Sequence, residues 1–126
     1  MSLMSVPAIL YVEDNLILAH TVKDVLEMAG WHIEHCSDSC MARALMEHRK
    51  HYDLLLLDNE LRGFSGLELT RRARELPHLK QTPIILISLE DRAREAREAG
   101  ANEFLRKPHN IVTLLDTVRL LLEDSD

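Results

Sequence analysis

The chain lacks several features that mark common classes of protein. None of its apolar runs approaches the roughly 20 residues that a membrane-spanning helix needs, and no basic-then-apolar leader opens it. It has no basic stripe interleaved with aromatic residues, its aromatic content is only 4%, and its formal net charge is −6. We therefore expect no membrane association and no direct nucleic-acid binding, and a partner with a basic surface is favoured. The expected location is the cytoplasm, where two cysteines would stay reduced.

What the chain does contain is typical of one globular domain. Its 126 residues are 46% hydrophobic and 29% charged, which suffices for one core but not for two. A second methionine at position 4 indicates that the first residues include a remnant of cloning. We expect residues 1–6 to be a disordered start or such a remnant, residues 7–123 to be the domain, and residues 124–126 to be a tail.

Strand and helix patterns alternate five times along the chain. The strand patterns are short apolar or β-prone runs at Ala8–Val12, 31–36, 53–57, 83–87 and Glu103–Arg106. Helical patterns follow each of them, at 16–29, 38–50, 67–76, 90–99 and from residue 111 onward. This alternation predicts an α/β fold with a doubly wound, five-stranded parallel sheet and five helices on its two faces. The weak pattern at 31–36 fits an edge strand, but periodicity alone does not give the strand order.

The apolar spacing also predicts which side of each helix is buried. The predicted buried side of the first helix consists of Leu16, Ile17, Val22, Val25, Leu26 and Ala29. That of the second helix consists of Met41, Ala44, Leu45 and His48. The apolar side of the fourth helix has only alanines, so this helix would bury little area and should be loosely held.

Polar residues stand at the ends of four of the five predicted strands. Glu13 and Asp14 follow the first strand, and Asp58 follows the four leucines of the third. Ser88 and Lys107 follow the fourth and the fifth. Each has an ordinary explanation when taken singly, such as an acid at a helix start. Because the carboxyl ends of parallel strands lie at one edge of a sheet, where ligands bind, their joint occurrence predicts a site centred on Asp58.

The predicted site combines groups whose chemistry is complementary. Each pair of carboxylates repels by about 4 kcal/mol at about 4 Å and an effective dielectric constant of about 20. A hard divalent cation such as Mg²⁺ and the ammonium group of Lys107 would offset this repulsion. A carboxylate beside two cations can attack a phosphoryl group in line and become an aspartyl phosphate. Ser88 would then donate a hydrogen bond to the product.

Several separate motifs of the chain occur in the order that is known from one protein family. They are YVEDN, LLLLDNELRGFSGLEL, PIILIS, and FLRKP after AGAN, and together they extend from about Pro7 to Glu123. In these motifs the chain resembles the receiver domains of two-component response regulators. The resemblance implies a flavodoxin-like (βα)5 fold and a phosphorelay function, in which a histidine kinase or phosphotransfer protein phosphorylates Asp58. It implies a signalling domain that assists only its own phosphotransfer and autodephosphorylation, and that alters the binding of a downstream protein or an attached effector domain.

The same resemblance assigns roles to individual residues. Asp14 and Asp58 would bind Mg²⁺ or Mn²⁺ directly, Glu13 would act through water, and the backbone carbonyl of Glu60 would be a further ligand. The switch pair would be Ser88 and Phe104, and the peptide bond between Lys107 and Pro108 would be cis. The resemblance also makes a homodimer through the fourth helix, the fifth strand and the fifth helix an expectation.

Two other classes of function stay open at the level of sequence. A phosphohydrolase with an aspartate nucleophile usually has a second acid two residues later, and Glu60 fits that spacing. Such enzymes also need a cap over the substrate, and we expect no residues for one here. The other class is a receiver-like binding module that has lost phosphorylation, against which the complete set of acids, hydroxyl and lysine argues.

The chain departs from the usual pattern of the family at three positions near the predicted site. Arg62 stands where proline is frequent, so we expect a less rigid loop after Asp58. Leu89 stands where a small residue is usual, and Glu60 adds an acid two residues past Asp58. Both of these side chains are expected to change how long a phosphoryl group stays on Asp58.

Leu89→Ala should shorten the lifetime of the phosphoryl group on Asp58 several-fold, because the leucine side chain is expected to shield that group from water. The measurement is the rate at which the acyl-phosphate adduct disappears after the phosphodonor is removed. A rate equal to that of the wild type would contradict the shielding role of Leu89.

Overall fold

Five parallel strands form a single sheet in the computed structural model, which describes residues 6–48 and 51–123. In chain order the strands are Ala8–Val12 (β1), His32–Cys36 (β2), Leu54–Asp58 (β3), Ile84–Ser88 (β4) and Glu103–Arg106 (β5). The helices are Leu16–Met28 (α1), Ser39–Glu47 (α2), Gly66–Glu75 (α3), Ala93–Ala99 (α4) and Ile111–Glu123 (α5), and a 3₁₀ turn spans Pro77–Leu79. Across the sheet the order is β2-β1-β3-β4-β5, so β2 is an edge strand, as predicted. No helix within these described ranges has both the length and the apolar character that crossing a membrane requires.

The helices cover both faces of the sheet, which confirms the predicted doubly wound arrangement. Side chains of α1 and α5 pack against Leu54 and Leu56 on one face. Side chains of α2, α3 and α4 pack against Leu55 and Leu57 on the other face. Successive side chains of a strand point to opposite faces, so the leucine run supplies both cores, and all four leucines are fully buried. The run that precedes Asp58 is therefore the central strand that its composition predicted.

Some boundaries differ from the predicted ones. Asp58 and Ser88 are the last residues of β3 and β4, because each still pairs with the neighbouring strand. Helix α4 begins at Ala93 and not at residue 90, since the side chain of Asp91 accepts a hydrogen bond from the N–H of Ala93. Residues 1–5 of the predicted start, the predicted end of the second helix at residue 50, and the tail at 124–126 lie outside the described residues.

The predicted buried side of α1 is wrong at its first turn. Leu16 and Ile17 are 65% and 84% exposed, and the buried residues of α1 are Ala19, Val22 and Leu26. Ile17 lies two positions before Ala19, which is about 200° around a helix of 3.6 residues per turn, so the two residues cannot face the same way. Leu16 lines a surface pocket beside the end of β1.

The predicted buried side of α2 is also rotated, by about one residue. Ala42 and Met46 are fully buried, whereas Met41, Ala44 and His48 are exposed. One residue corresponds to about 100° of rotation around the helix axis. Both sets of residues form an apolar stripe in the sequence, and only packing against the sheet selects one of them. In α4 the buried residues are alanines, as predicted.

Gly66, the first residue of α3, brings this helix into direct contact with the ends of β3 and β4. A Cβ atom at this position would lie 2.5 Å from the backbone oxygen of Asp58 and 2.6 Å from Cδ1 of Leu86. These distances are far below van der Waals contact, so only glycine fits without a shift of the backbone. The start of α3 is further fixed by a capping box, in which Ser65 and Glu68 each accept a hydrogen bond from the other's backbone N–H. The position of Asp58 therefore depends on the absence of a side chain at Gly66.

Gly66→Ala should lower the free energy of unfolding by about 1–3 kcal/mol, because a methyl group is forced against backbone atoms that cannot relax freely. Chemical denaturation measures this change, and the amide resonances of Asp58 and Asn59 should shift in the same variant. Gly30→Ala is the control. Nothing lies within 4 Å of a Cβ atom at Gly30, whose φ angle is +106°. The left-handed backbone conformation alone should therefore lower the free energy of unfolding of this variant by about 1–2 kcal/mol. The amide resonances of Asp58 and Asn59 should stay unchanged. Wild-type stability in Gly66→Ala would contradict the predicted overlap.

Candidate functional site

The polar residues at the strand ends meet at the carboxyl edge of the sheet. The Nζ atom of Lys107 lies 3.0 Å from Oδ1 of Asp58 and 3.6 Å from Oε1 of Glu13. These residues follow or end β5, β3 and β1. In the sheet, β1 and β3 are neighbours, and β4 lies between β3 and β5. Asp58 and Glu13 are each only 2% exposed. The structure therefore gathers the acids and the lysine that the sequence placed at separate strand ends.

Three carboxylates of this edge have the geometry of a metal-binding group. Glu13, Asp14 and Asp58 each offer an oxygen atom, and these atoms lie within 4.8 Å of one another. Two of the three residues are buried, and Asp14 is partly buried. Oxygen ligands of this kind suit hard divalent cations such as Mg²⁺. The group can hold a metal ion, and its chemistry fits Mg²⁺.

The electrostatics of the site show that its negative charge is only partly balanced. Burial and the neighbouring charge of Glu13 raise the pKa of Asp58 to about 7, although the hydrogen bond and charge of Lys107 act in the opposite direction. Burial lowers the pKa of Lys107, but the hydrogen bond and charge of Asp58, with the charges of Glu13 and Glu60, raise it by more. Lys107 is therefore a permanent cation at neutral pH. A second cation would favour the ionised form of Asp58.

The side chain of Glu60 occupies a position that the sequence did not predict. Its Oε2 atom accepts a hydrogen bond of 2.5 Å from the hydroxyl of Ser88, and its Oε1 atom accepts one of 2.8 Å from the N–H of Leu89. The backbone N–H of Glu60 donates to Oδ1 of Asp58 at 3.2 Å. Ser88 is fully buried, and its oxygen also accepts from the N–H of Glu90 at 3.3 Å. A carboxylate held by Ser88 and Leu89 does not favour the general-acid role that the spacing alone left open for Glu60.

The loop between β3 and α3 is tied by hydrogen bonds to α2 and to the loop between β1 and α1. The hydroxyl of Ser39, a residue that is 2% exposed, donates to the carbonyl of Arg62 and accepts from the N–H of Phe64. The N–H of Arg62 donates to Oδ2 of Asp14 at 3.3 Å. A proline at this position would have no N–H, so the departure at Arg62 adds a contact to Asp14. The sequence pattern around Ser39 does not indicate this role, because the partner of its hydroxyl lies 23 residues away.

The remaining predicted residues lie on the other side of the site. Phe104 is partly buried on β5, opposite Leu86 of β4, and lines a cavity of about 320 Å³ between β5 and α4. The peptide bond between Lys107 and Pro108 is cis, as the resemblance implied. The side chain of Leu89 is 57% exposed.

Comparison with known sequences identifies one family. Residues 9–119 match the family described as the response regulator receiver domain. The chain is 32% identical over 117 residues to the phosphate regulon transcriptional regulatory protein PhoB of Pseudomonas aeruginosa, which covers 90% of this chain and 51% of that protein. It is 25% identical over 121 residues to the polar-differentiation response regulator DivK of Brucella ovis, which covers 94% of this chain and 98% of that protein. The chain thus spans about half the length of PhoB and nearly all of DivK.

Solved structures agree with the sequence relatives and confirm the flavodoxin-like fold. The chemotaxis response regulator CheY4 of Vibrio cholerae superposes with a TM-score of 0.85 at 27% identity, over 93% of this chain and 99% of that one. The receiver domain of the sensor histidine kinase PA1611 of Pseudomonas aeruginosa superposes with a TM-score of 0.83 at 27% identity, over 94% of this chain and 99% of that one. That receiver domain has a magnesium ion coordinated in its active site cleft.

The ionisation of Asp58 should make stability depend on pH and on Mg²⁺. Asp58 keeps its proton up to about pH 7 in the folded protein but only up to about pH 3.9 when unfolded. Between these values the folded state binds more protons, so the contribution of Asp58 to the free energy of unfolding falls as pH rises. Each pKa unit corresponds to about 1.4 kcal/mol. Without divalent cations, the free energy of unfolding of Asp58→Asn should therefore rise by a few kcal/mol relative to that of the wild type as the pH increases from about 4 to about 8.

Denaturation curves with and without Mg²⁺ measure both effects. Mg²⁺ should stabilise the wild type at about pH 8 by about 2.7 kcal/mol at a hundredfold excess over its Kd, and Asp58→Asn by much less. Asp116→Asn removes an acid of α5 whose side chain is 70% exposed, and should behave as the wild type does. A constant difference between wild type and Asp58→Asn across this pH range would contradict the raised pKa of Asp58.

Proposed function

Because the chain belongs to the response regulator receiver domains, we propose that it accepts a phosphoryl group on Asp58 and holds it as a signal that changes its contacts with other proteins. Receiver domains of two-component systems are signalling domains and not classical enzymes. The observation that carries the proposal is the buried Asp58 carboxylate at the end of β3, 3.0 Å from the ammonium group of Lys107. An oxygen atom of this carboxylate would attack the phosphorus atom of the donor. The new O–P bond forms as the bond between phosphorus and the donor's leaving atom breaks.

The residues around Asp58 supply the charges that this transfer needs. Asp14 and Asp58 would hold Mg²⁺ or Mn²⁺ directly, with Glu13 acting through water and the backbone carbonyl of Glu60 as a further ligand. The cation supplies positive charge that offsets the charge on the transferring oxygens. Lys107 supplies the other positive charge, and its raised pKa keeps it protonated at neutral pH. Burial of the carboxylate excludes competing water from its attacking oxygen.

Ser88 and Phe104 form the proposed switch that carries the signal to the surface. A phosphoryl group adds about −1.5 to −2 charge, and the hydroxyl of Ser88 would donate a hydrogen bond to it. Movement of Ser88 would draw the end of β4 towards Asp58 and let the ring of Phe104 shift into the cavity between β5 and α4. Helix α4 buries only alanines, so it could reposition at low cost.

The proposed partners follow from the family and from the charge of the chain. A histidine kinase or a phosphotransfer protein would donate the phosphoryl group, in the cytoplasm. A downstream protein or an attached effector domain would respond, since this chain matches about half of PhoB and nearly all of DivK. A net charge of −6 favours a basic partner surface and argues against direct binding to nucleic acid or to a membrane. Homodimerisation through α4, β5 and α5, and autodephosphorylation of Asp58, complete the proposal.

Incubation with Mg²⁺ and a small phosphodonor should add one phosphoryl group to the wild type and none to Asp58→Asn, because that variant lacks the nucleophilic oxygen. Intact-protein mass spectrometry measures the adduct, and removal of Mg²⁺ by a chelator should suppress it. Asp116→Asn is the matched control and should be modified as the wild type is. Absence of any adduct with small donors and with a cognate kinase would refute the proposed function, and so would an adduct of equal yield in Asp58→Asn.

A further inference from the structure

We propose that the carboxylate of Glu60 is an internal competitor of the phosphoryl group, because it occupies the hydrogen-bond donors of Ser88 and Leu89 that the phosphoryl oxygens need. This inference rests on the proposed function of Asp58 as phosphoryl acceptor. Glu60 would thereby set how readily Asp58 is phosphorylated. No sequence motif indicates this role, since it depends on the orientation of one side chain.

The geometry of Glu60 resembles that of a bound anion. One of its oxygens accepts from the hydroxyl of Ser88 at 2.5 Å and the other from the backbone N–H of Leu89 at 2.8 Å. Both donors lie at the carboxyl end of β4, and the preceding residue, Ile87, pairs with Asp58 in the sheet. A carboxylate and a phosphoryl group both present two oxygens to such a pair of donors. The carboxylate of Glu60 therefore occupies the donors that would bind the oxygens of a phosphoryl group on Asp58.

Charge prevents the two anions from sharing these donors. Glu60 is one of the acids that raise the pKa of Lys107, so its charge acts on the site itself. A phosphoryl group on Asp58 would add about −1.5 to −2 charge next to that carboxylate. The hydroxyl of Ser88 has a single proton to donate. Phosphorylation must therefore break the bonds of Glu60 to Ser88 and Leu89 before the switch can form.

The side chain of Glu60 can leave without disturbing the fold. Glu60 as a whole is an exposed residue, so rotation about its side-chain bonds would move the carboxylate into water. Its backbone N–H would keep its hydrogen bond to Asp58. Release thus frees Ser88 and Leu89 while the acceptor stays in place. The same bonds hold residues 88–90 in one conformation before phosphorylation, because the N–H of Glu90 also donates to the hydroxyl of Ser88.

The test compares Glu60→Ala and Glu60→Asp with the wild type in the initial rate of adduct formation from acetyl phosphate and Mg²⁺. Aspartate keeps the negative charge but is one methylene group shorter, so it should not reach Ser88. A competitor role predicts that both variants form the adduct about tenfold faster than the wild type. Glu90→Ala is the control. It removes an acid of the loop between β4 and α4, whose side chain pairs with Arg92, and should keep the wild-type rate.

Amide hydrogen exchange at Leu89 tests the contact independently of phosphorylation. The N–H of Leu89 should exchange faster in Glu60→Ala and Glu60→Asp than in the wild type. Wild-type rates of adduct formation in both Glu60 variants would overturn the competitor role and leave the proposed function standing. Faster reaction in Glu60→Ala with a wild-type rate in Glu60→Asp would assign the effect to charge alone and also overturn it. Absence of adduct in every protein would refute the proposed function, and this inference with it.

Discussion

The ion pair between Lys107 and Asp58 is the interaction on which the site depends. It places one ammonium group against acids at the end of the sheet, and Asp58 is almost completely buried. Burial and Glu13 still raise the pKa of Asp58 to about 7, so one lysine does not balance the charge. The site is therefore built with an excess of negative charge. Such a site favours the binding of divalent cations and of phosphate groups that are coordinated to them. Phosphoryl transfer requires both.

The rigidity of this site comes from the sheet and from close contacts at its edge. The four leucines of β3 are fully buried, so Asp58 is held by a strand that packs on both faces of the sheet. Gly66 lets α3 begin in contact with the backbone of Asp58. Ser39 ties the following loop to α2 through the backbone of Arg62 and Phe64. Packing thus fixes the position of Asp58, and the proposed switch residues Ser88 and Phe104 lie at the end of β4 and on β5.

Glu60 connects Asp58, the proposed acceptor, to the end of β4. Its backbone N–H binds Asp58, and its side chain binds Ser88 and Leu89. One residue therefore contacts both Asp58, the proposed acceptor, and the hydroxyl of Ser88, which would sense its modification. The acid two residues after Asp58 is visible in the sequence, where its spacing also fits the second acid of an aspartate-based phosphohydrolase. The hydrogen bonds of its carboxylate distinguish the two roles. They show that the side chain of Glu60 holds the end of β4 and does not face a substrate.

The sequence by itself determined the parallel α/β fold, the edge position of β2 and the set of strand-end residues, because apolar periodicity and residue type follow directly from burial. It also placed Asp58 at the end of the central strand. The tertiary structure decided the rest. Two apolar stripes compete in α2, and packing against the sheet selected Ala42 and Met46. The engagement of Glu60 with Ser88 spans 28 residues. A local sequence pattern cannot reveal this contact, because the contact forms only when the sheet brings the ends of β3 and β4 together.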